Sequence, residues 1–263
     1  MTSERVASAR PLAIDGVPIA HGRVPVVCVP LVASTRQRIL DEVAAVMAKS
    51  PDVLEWRVDH FAGIVDGPAV VAVAHAIRDA ARGTPLIVTR RSPREGGAAT
   101  ALDDTQAIAL YEAICAARCA DFIDYELGNG SANFARVRRA AHEHRVGLIG
   151  SFHDFATTPS VSVLVGKFAQ AKREGADVAK VAVMPHDPHD VLTLLAATWQ
   201  AHAALDMPLI SMAMGPLGVV SRIAGALFGS SLTFAAGEQA SAPGQMPVDD
   251  LRQALELLAR ATK

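Results

Sequence analysis

From residue 24 onward the chain alternates between short runs rich in Val, Ile and Leu and longer segments whose apolar residues recur every three or four positions. The short runs, at 24–29, 53–58, 86–89, 122–125, 147–152, 177–185, 209–212 and 232–235, read as strands. They show little polar alternation, as expected of parallel strands covered on both faces. The longer segments, at 34–49, 68–82, 103–117, 132–144, 160–174, 190–203, 217–227 and 248–261, read as helices, the first capped by Ser34 or Thr35. About eight strand-helix units of roughly 30 residues favour a closed (β/α)8 TIM barrel, an α/β fold, over an open doubly wound sheet. No GxGxxG fingerprint follows the first strand and no GxxxxGK[ST] loop is present, so the usual signals for dinucleotides and nucleotide phosphates are missing.

Two short apolar pieces flank Asp15-Gly16 and predict an N-terminal β-hairpin at 12–22, placed to plug one end of the barrel. No shift in composition marks a linker. Residues 1–263 are therefore expected to form a single domain, with the hairpin at 12–22 and the barrel at 24–263. A hydrophobic fraction of 51%, a charged fraction of 20% and a net charge of -2 leave no basic stripe for nucleic acid and no like-charge tail. Cys28, Cys115 and Cys119 form no CxxC pair and are expected to be reduced, buried thiols of a cytoplasmic protein. Residues 1–10, with Glu4, Arg5 and Arg10, lack the apolar centre of a signal peptide. The apolar stretch 208–228 is interrupted by Pro216, glycines and Arg222, so no membrane span is expected.

Lys180 stands in the middle of the strand Asp-Val-Ala-Lys-Val-Ala-Val-Met-Pro at 177–185. An unpaired ammonium buried there would cost several kcal/mol, so the side chain is paired, neutral, facing a polar cavity, or snorkelling out to solvent. If burial and neighbouring cations lower its pKa, the free amine can attack a ketone and form an imine. At the ordinary lysine pKa of about 10.4, only roughly a few molecules in ten thousand would carry that free amine at neutral pH.

In a barrel, chemistry belongs at the carboxyl ends of the strands and in the loops beyond them. Glu55, Arg57 and Asp59, spaced by two, point to one side, where they either pair with one another or grip hydroxyl groups of a ligand. Arg90, Arg91, Arg94 and Glu95-Gly96-Gly97 form a mixed-charge loop after the third strand. His153, in Ser151-Phe152-His153-Asp154, ends the fifth strand and is either a structural hydrogen-bonding residue or a proton carrier suited to neutral pH. Asp154 alternates away from it and suits a turn cap. Arg222, in an apolar helical segment, needs an anion, either a protein carboxylate or a substrate carboxylate. The polar loop 237–247 has the composition of a lid or binding loop.

The ordered set Glu55-Trp56-Arg57-Val58-Asp59, Arg91 with Glu95-Gly96-Gly97, Ser151-Phe152-His153-Asp154-Phe155, Lys180, Ser221-Arg222, Phe228-Gly229-Ser230 and Ser241-Ala242-Pro243-Gly244-Gln245 resembles the type I 3-dehydroquinate dehydratases, Schiff-base enzymes of the shikimate pathway. The resemblance implies a barrel hydro-lyase that removes water from 3-dehydroquinate to give 3-dehydroshikimate by syn elimination, with no metal or organic cofactor. It also implies a cytoplasmic homodimer whose partner is its small-molecule substrate, with no nucleic acid and no membrane. By the same resemblance Lys180 forms the imine, His153 moves protons and Glu95 orients His153. Glu55, Arg57 and Arg91 hold ring hydroxyls; Arg222, Ser241 and Gln245 take the carboxylate; and Met212, Met214 and Phe234 line the apolar side. Two positions depart from the family pattern. Pro30 stands where several relatives carry Ser, and the segment Met214-Gly215-Pro216-Leu217-Gly218 is less polar than its counterparts. A class I aldolase, which shares an imine lysine and a barrel, and a barrel that only binds a ligand are the alternative readings.

Overall fold

The computed structural model describes residues 9–14, 16–19, 25–238 and 241–262. Residues 1–8, Asp15, 20–24, 239–240 and Lys263 lie outside them, and with them fall the expected turn residue Asp15, the end of the expected hairpin and Val24 at the start of the expected first strand. Strands β1 (Ala13–Ile14) and β2 (Val17–Pro18) pair antiparallel. The chain then runs β3 (Val26–Leu31), α1 (Arg36–Met47), β4 (Val53–Arg57), α2 (Gly67–Ala80), β5 (Leu86–Thr89), α3 (Asp104–Ala117), β6 (Phe122–Glu126) and α4 (Ser131–His144). It continues through β7 (Gly147–Asp154), α5 (Val161–Glu174), β8 (Val178–Val183), α6 (Pro188–Ala204), β9 (Leu209–Ala213), α7 (Val219–Ala224), β10 (Leu232–Phe234) and α8 (Val248–Ala261).

The large sheet has eight parallel strands in the order β10-β3-β4-β5-β6-β7-β8-β9, so the first and last barrel strands pair with each other. Its remaining seam, between β9 and β10, is closed by a parallel bridge of Leu209 with Ser230 and by the Ser231 N–H, which donates to the Leu209 carbonyl at 2.7 Å. This is the (β/α)8 barrel that the alternation predicts. Thr35 caps α1, its hydroxyl accepting the Arg38 N–H. Asp103 and Gln106 form a reciprocal capping box on α3, satisfying two N–H groups at the helix end. The segment expected as one helix at 217–227 is broken into a 3₁₀ turn at Pro216–Gly218, the six-residue α7 and a second 3₁₀ turn at Gly225–Phe228. Pro216, Gly218 and Gly225 work against one long α-helix here.

Two apolar cores follow from the strand period of two. Outward-facing residues such as Trp56, Val88, Ile123 and Val181 pack against the helices. Inward-facing residues, among them Val26, Val53, Ile87, Phe122, Ile149, Val178, Ile210 and Leu232, fill the lower barrel together with Leu12 and Ile19 from either side of the hairpin. The hairpin thus covers the amino-terminal floor. Its Ile19 N–H donates to the Leu12 carbonyl at 2.8 Å, holding the two plug residues side by side. Among the described residues no helix is long and apolar enough to cross a membrane.

Candidate active site

The inward-facing positions change character as each strand climbs from that floor. On β4, Val53 is followed at two-residue steps by Glu55 and Arg57; on β6, Phe122 by Asp124 and Glu126; on β7, Ile149 by Ser151 and His153; on β8, Val178 by Lys180. The same alternation that fills the bottom with apolar groups therefore delivers charged ones to the mouth. They surround a cavity at the mouth of the barrel. Lys180, His153 and Glu95 border it, as do Glu55, Arg57 and Arg91 on the charged side. Met212, Met214 and Phe234 form the apolar side, and Ser241 and Gln245 reach in from the loop above.

Lys180 does not snorkel. It is 4% exposed, and its Nζ donates to Asp124 Oδ2 at 2.8 Å and Glu55 Oε1 at 3.3 Å, with the Phe234 ring centroid 4.7 Å away. Thr89 Oγ1 donates to the same Glu55 oxygen at 2.9 Å and fixes that carboxylate. Asp124 is wholly buried and is also gripped from its other oxygen, which accepts Arg91 Nη2 at 2.8 Å and Ser151 Oγ at 2.5 Å. Burial by itself would raise the Asp124 pKa, but the positive charges of Arg91 and Lys180 outweigh it and hold the carboxyl well below its usual range. Arg91 Nη1 donates in turn to Ser151 Oγ at 2.9 Å and Glu126 Oε1 at 3.3 Å. Burial disfavours the Arg91 charge, yet Asp124, Glu126 and Glu95 more than offset it.

The loop carrying Arg91 and Glu95 is fastened at several points. Asp59, just past β4, accepts Arg57 Nε and Nη2 at 2.9 and 2.7 Å, the Arg91 N–H at 3.2 Å and the Ala98 N–H at 2.9 Å. Glu126 accepts the Ser92 N–H at 2.7 Å. Gly97 must lack a side chain, because a Cβ there would overlap the Arg91 carbonyl. So fixed, Glu95 Oε2 lies 2.8 Å from His153 Nδ1 and accepts the His153 backbone N–H at 3.1 Å. Burial, with Glu126 and Asp124 nearby, pushes the Glu95 carboxyl up to about 8 despite the opposing charge of Arg91. Burial and the cations Arg91 and Lys180 push His153 well below the ordinary histidine range. Both groups are driven toward their neutral forms, and the ring of His153 stacks on Phe155 at a centroid distance of 6.5 Å.

Arg222 is placed differently from the other expected residues. It is 1% exposed in the wall behind the cavity, where Nη1 donates to the Phe234 carbonyl at 3.4 Å and Nη2 to the Pro243 carbonyl at 3.1 Å. No carboxylate reaches it among the described residues, its Nε is buried without a partner, and burial lowers its pKa to about 10. Ser241 and Gln245 are paired with each other, Gln245 accepting the Ser241 N–H at 2.8 Å and donating to Ser241 Oγ at 3.1 Å. Asp154 caps the following turn, as its alternation predicts, accepting the Ala156 and Thr157 N–H groups.

Sequence reasoning passed over Asp124 and Glu126, although their spacing with Phe122 is the same two-residue step that exposes Glu55 and Arg57. No group of His, Cys, Asp and Glu side chains arranged to hold a metal ion is present among the described residues.

Fold and site define a (β/α)8 barrel whose small-molecule cavity, at the carboxyl ends of the strands, is organised around one buried lysine. The family profile described as type I 3-dehydroquinase matches residues 27–262. A 3-dehydroquinate dehydratase of Albidiferax ferrireducens is 52% identical over 254 residues, covering 97% of this chain and 96% of its own. The crystal structure of 3-dehydroquinate dehydratase from Geobacillus kaustophilus superposes with a TM-score of 0.94 at 44% identity, over 98% of this chain and 100% of that one. That of the type I enzyme from Clostridium difficile, which carries covalently modified comenic acid, gives 0.90 at 35% identity, over 96% and 99%. The chain belongs to the type I 3-dehydroquinase family.

Proposed function

We propose that this chain, a hydro-lyase of the type I 3-dehydroquinate dehydratase kind, converts 3-dehydroquinate to 3-dehydroshikimate through an imine on Lys180. The observation that carries the reading is that the Lys180 amine and the His153 ring border one cavity from adjacent strands, and no other lysine borders it among the described residues. The Lys180 nitrogen attacks the ring ketone, and the ketone oxygen departs as water to leave an iminium. Neutral His153, with no hydrogen bond on Nε2 among the described residues, then takes a proton from the carbon beside the iminium. The electron pair moves into the carbon-nitrogen bond, giving an enamine. The enamine expels the β-hydroxyl, which leaves as water because His153 returns the proton to it. One base serving both steps from one face accounts for syn elimination. Hydrolysis of the remaining imine frees the conjugated enone and restores the lysine.

Glu55, Arg57 and Arg91 hold the ring hydroxyls from the charged side, and Met212, Met214 and Phe234 pack the apolar side. Arg222 takes the carboxylate together with Ser241 and Gln245, exchanging the Pro243 carbonyl for the stronger charged acceptor. Assay of the purified protein with 3-dehydroquinate tests the reading, and a steady rise in conjugated-enone absorbance is expected. No such rise, or cleavage of a carbon-carbon bond in a phosphorylated sugar, would contradict it, the latter in favour of an aldolase.

A further inference from the structure

Two carboxylates reach Lys180 Nζ, those of Glu55 and Asp124. Glu55 borders the cavity, whereas Asp124 does not and is wholly buried. A lysine ammonium has three N–H bonds and can serve both acceptors, but a protonated imine retains only one. The ring carbon takes the cavity side of the nitrogen. The surviving N–H therefore points to Asp124 Oδ2, already the closer acceptor at 2.8 Å against 3.3 Å for Glu55.

We propose that Asp124 is a catalytic residue, the fixed counter-charge that holds the single N–H of the Lys180 iminium while substrate occupies the cavity. The proposal rests on the imine reading given above and assigns the residue that keeps the imine protonated. The need is chemical, because a neutral imine is a poor electron sink, while an iminium accepts the pair released when the neighbouring carbon loses its proton. Through iminium, enamine and regenerated iminium this N–H bond is never broken, so its acceptor need not move or exchange a proton. Asp124 is built for such a passive part. Ser151 Oγ at 2.5 Å and Arg91 Nη2 at 2.8 Å immobilise its other oxygen, the Tyr111 hydroxyl donates to its backbone carbonyl at 2.7 Å, and its carboxyl stays ionised. Glu55 is then released to face the substrate.

The test has two arms. Removing a negative charge this close disfavours the protonated nitrogen, so in Asp124→Asn the iminium should lose its proton at lower pH. The alkaline limb of kcat should move down by about 1–3 pH units, the usual effect of one adjacent opposite charge, with kcat at pH 8 reduced at least about tenfold and KM changed far less. Thermal melting of the variant establishes that it is folded. The second arm needs no variant: in wild-type protein labelled with 15N-lysine and mixed with 3-dehydroshikimate, the nitrogen resonance of the imine should sit at the iminium position at pH 7 and remain there well into the alkaline range. A neutral-imine resonance at pH 7, or an alkaline limb unmoved in folded Asp124→Asn, overturns the role of Asp124 while leaving the imine itself intact. If borohydride traps no adduct on wild-type Lys180 during turnover, the imine reading falls and this proposal falls with it.

Discussion

At the scale of single residues, burial and surrounding charge shift the protonation of neighbouring groups in the cavity wall. Glu95 and His153 share a 2.8 Å contact, yet burial and surrounding charge drive both toward neutrality, the state the proposed base role of His153 requires. This has a cost visible in stability. Burial pushes the Glu95 carboxyl up from the ordinary 4.5 to about 8, so the folded state holds this proton more tightly than the unfolded chain. The corresponding stability is fully present below the lower value and is lost as pH rises through the upper one. Glu95→Gln, which cannot ionise, should therefore flatten the fall in stability between those two pH values, as read by denaturant unfolding at a series of pH values. A variant whose profile parallels the wild type would show that Glu95 is ionised in the fold. Lys180 and His153 stood out in the sequence as candidates because a charge in a Val-rich strand needs a partner, a cavity or a way to solvent, and a histidine at a strand end is either a structural hydrogen-bonding residue or a proton carrier. Asp124 and Glu126 were hidden because Phe-Ile-Asp-Tyr-Glu reads equally well as a strand with one polar face. Only barrel closure, which turns that face inward, makes the acids remarkable in their burial.

At the scale of elements, the alternation from floor to mouth explains why strand register matters more here than helix length. A one-residue slip in β8 would turn Lys180 into the helix layer and Ala179 or Val181 into the cavity. The loop after β10 is positioned less by sequence pattern than by close backbone approach. Its Pro243 carbonyl accepts the Gly215 N–H at 3.1 Å as well as Arg222 Nη2, and Gly244 adopts φ +78° against the Gly215 backbone. A Cβ at Gly244 would overlap the Gly215 carbonyl. Gly244→Ala should unseat the loop and, with about 1–2 kcal/mol of left-handed backbone strain added, raise KM by roughly tenfold, with a smaller effect on kcat. Steady-state kinetics with an unchanged KM would mean that the seat has no part in holding substrate. The glycine-for-seat relation joins residues almost thirty apart, so the sequence offered the polar loop as a lid or binding loop but not its docking partner. The same holds for α7, where Pro216, Gly218 and Gly225 shorten a segment whose apolar content alone suggests a longer helix.

At the scale of the molecule, about eight strand-helix units favoured the barrel over an open doubly wound sheet, and the closed ring of eight parallel strands bears that out. The plug was legible as a hairpin, and its burial follows from chemistry that the sequence also carries: an apolar floor cannot be left open to water. Leu12, 1% exposed within that floor, should destabilise the protein by about 2–5 kcal/mol when replaced by Ala. Turnover of the folded variant should change little, because Leu12 lies at the opposite end of the barrel from the cavity. A large loss of kcat in folded Leu12→Ala would mean that floor and mouth are coupled. The chain has five lysines, Lys49, Lys167, Lys172, Lys180 and Lys263, so the central claim is a choice among five lysine side chains. Borohydride added during turnover of 3-dehydroquinate, followed by peptide mass spectrometry, makes that choice directly. The account predicts a reduced adduct on the peptide containing Lys180 and on no other. An adduct on Lys167 or Lys172, or turnover with no adduct at all, would contradict it.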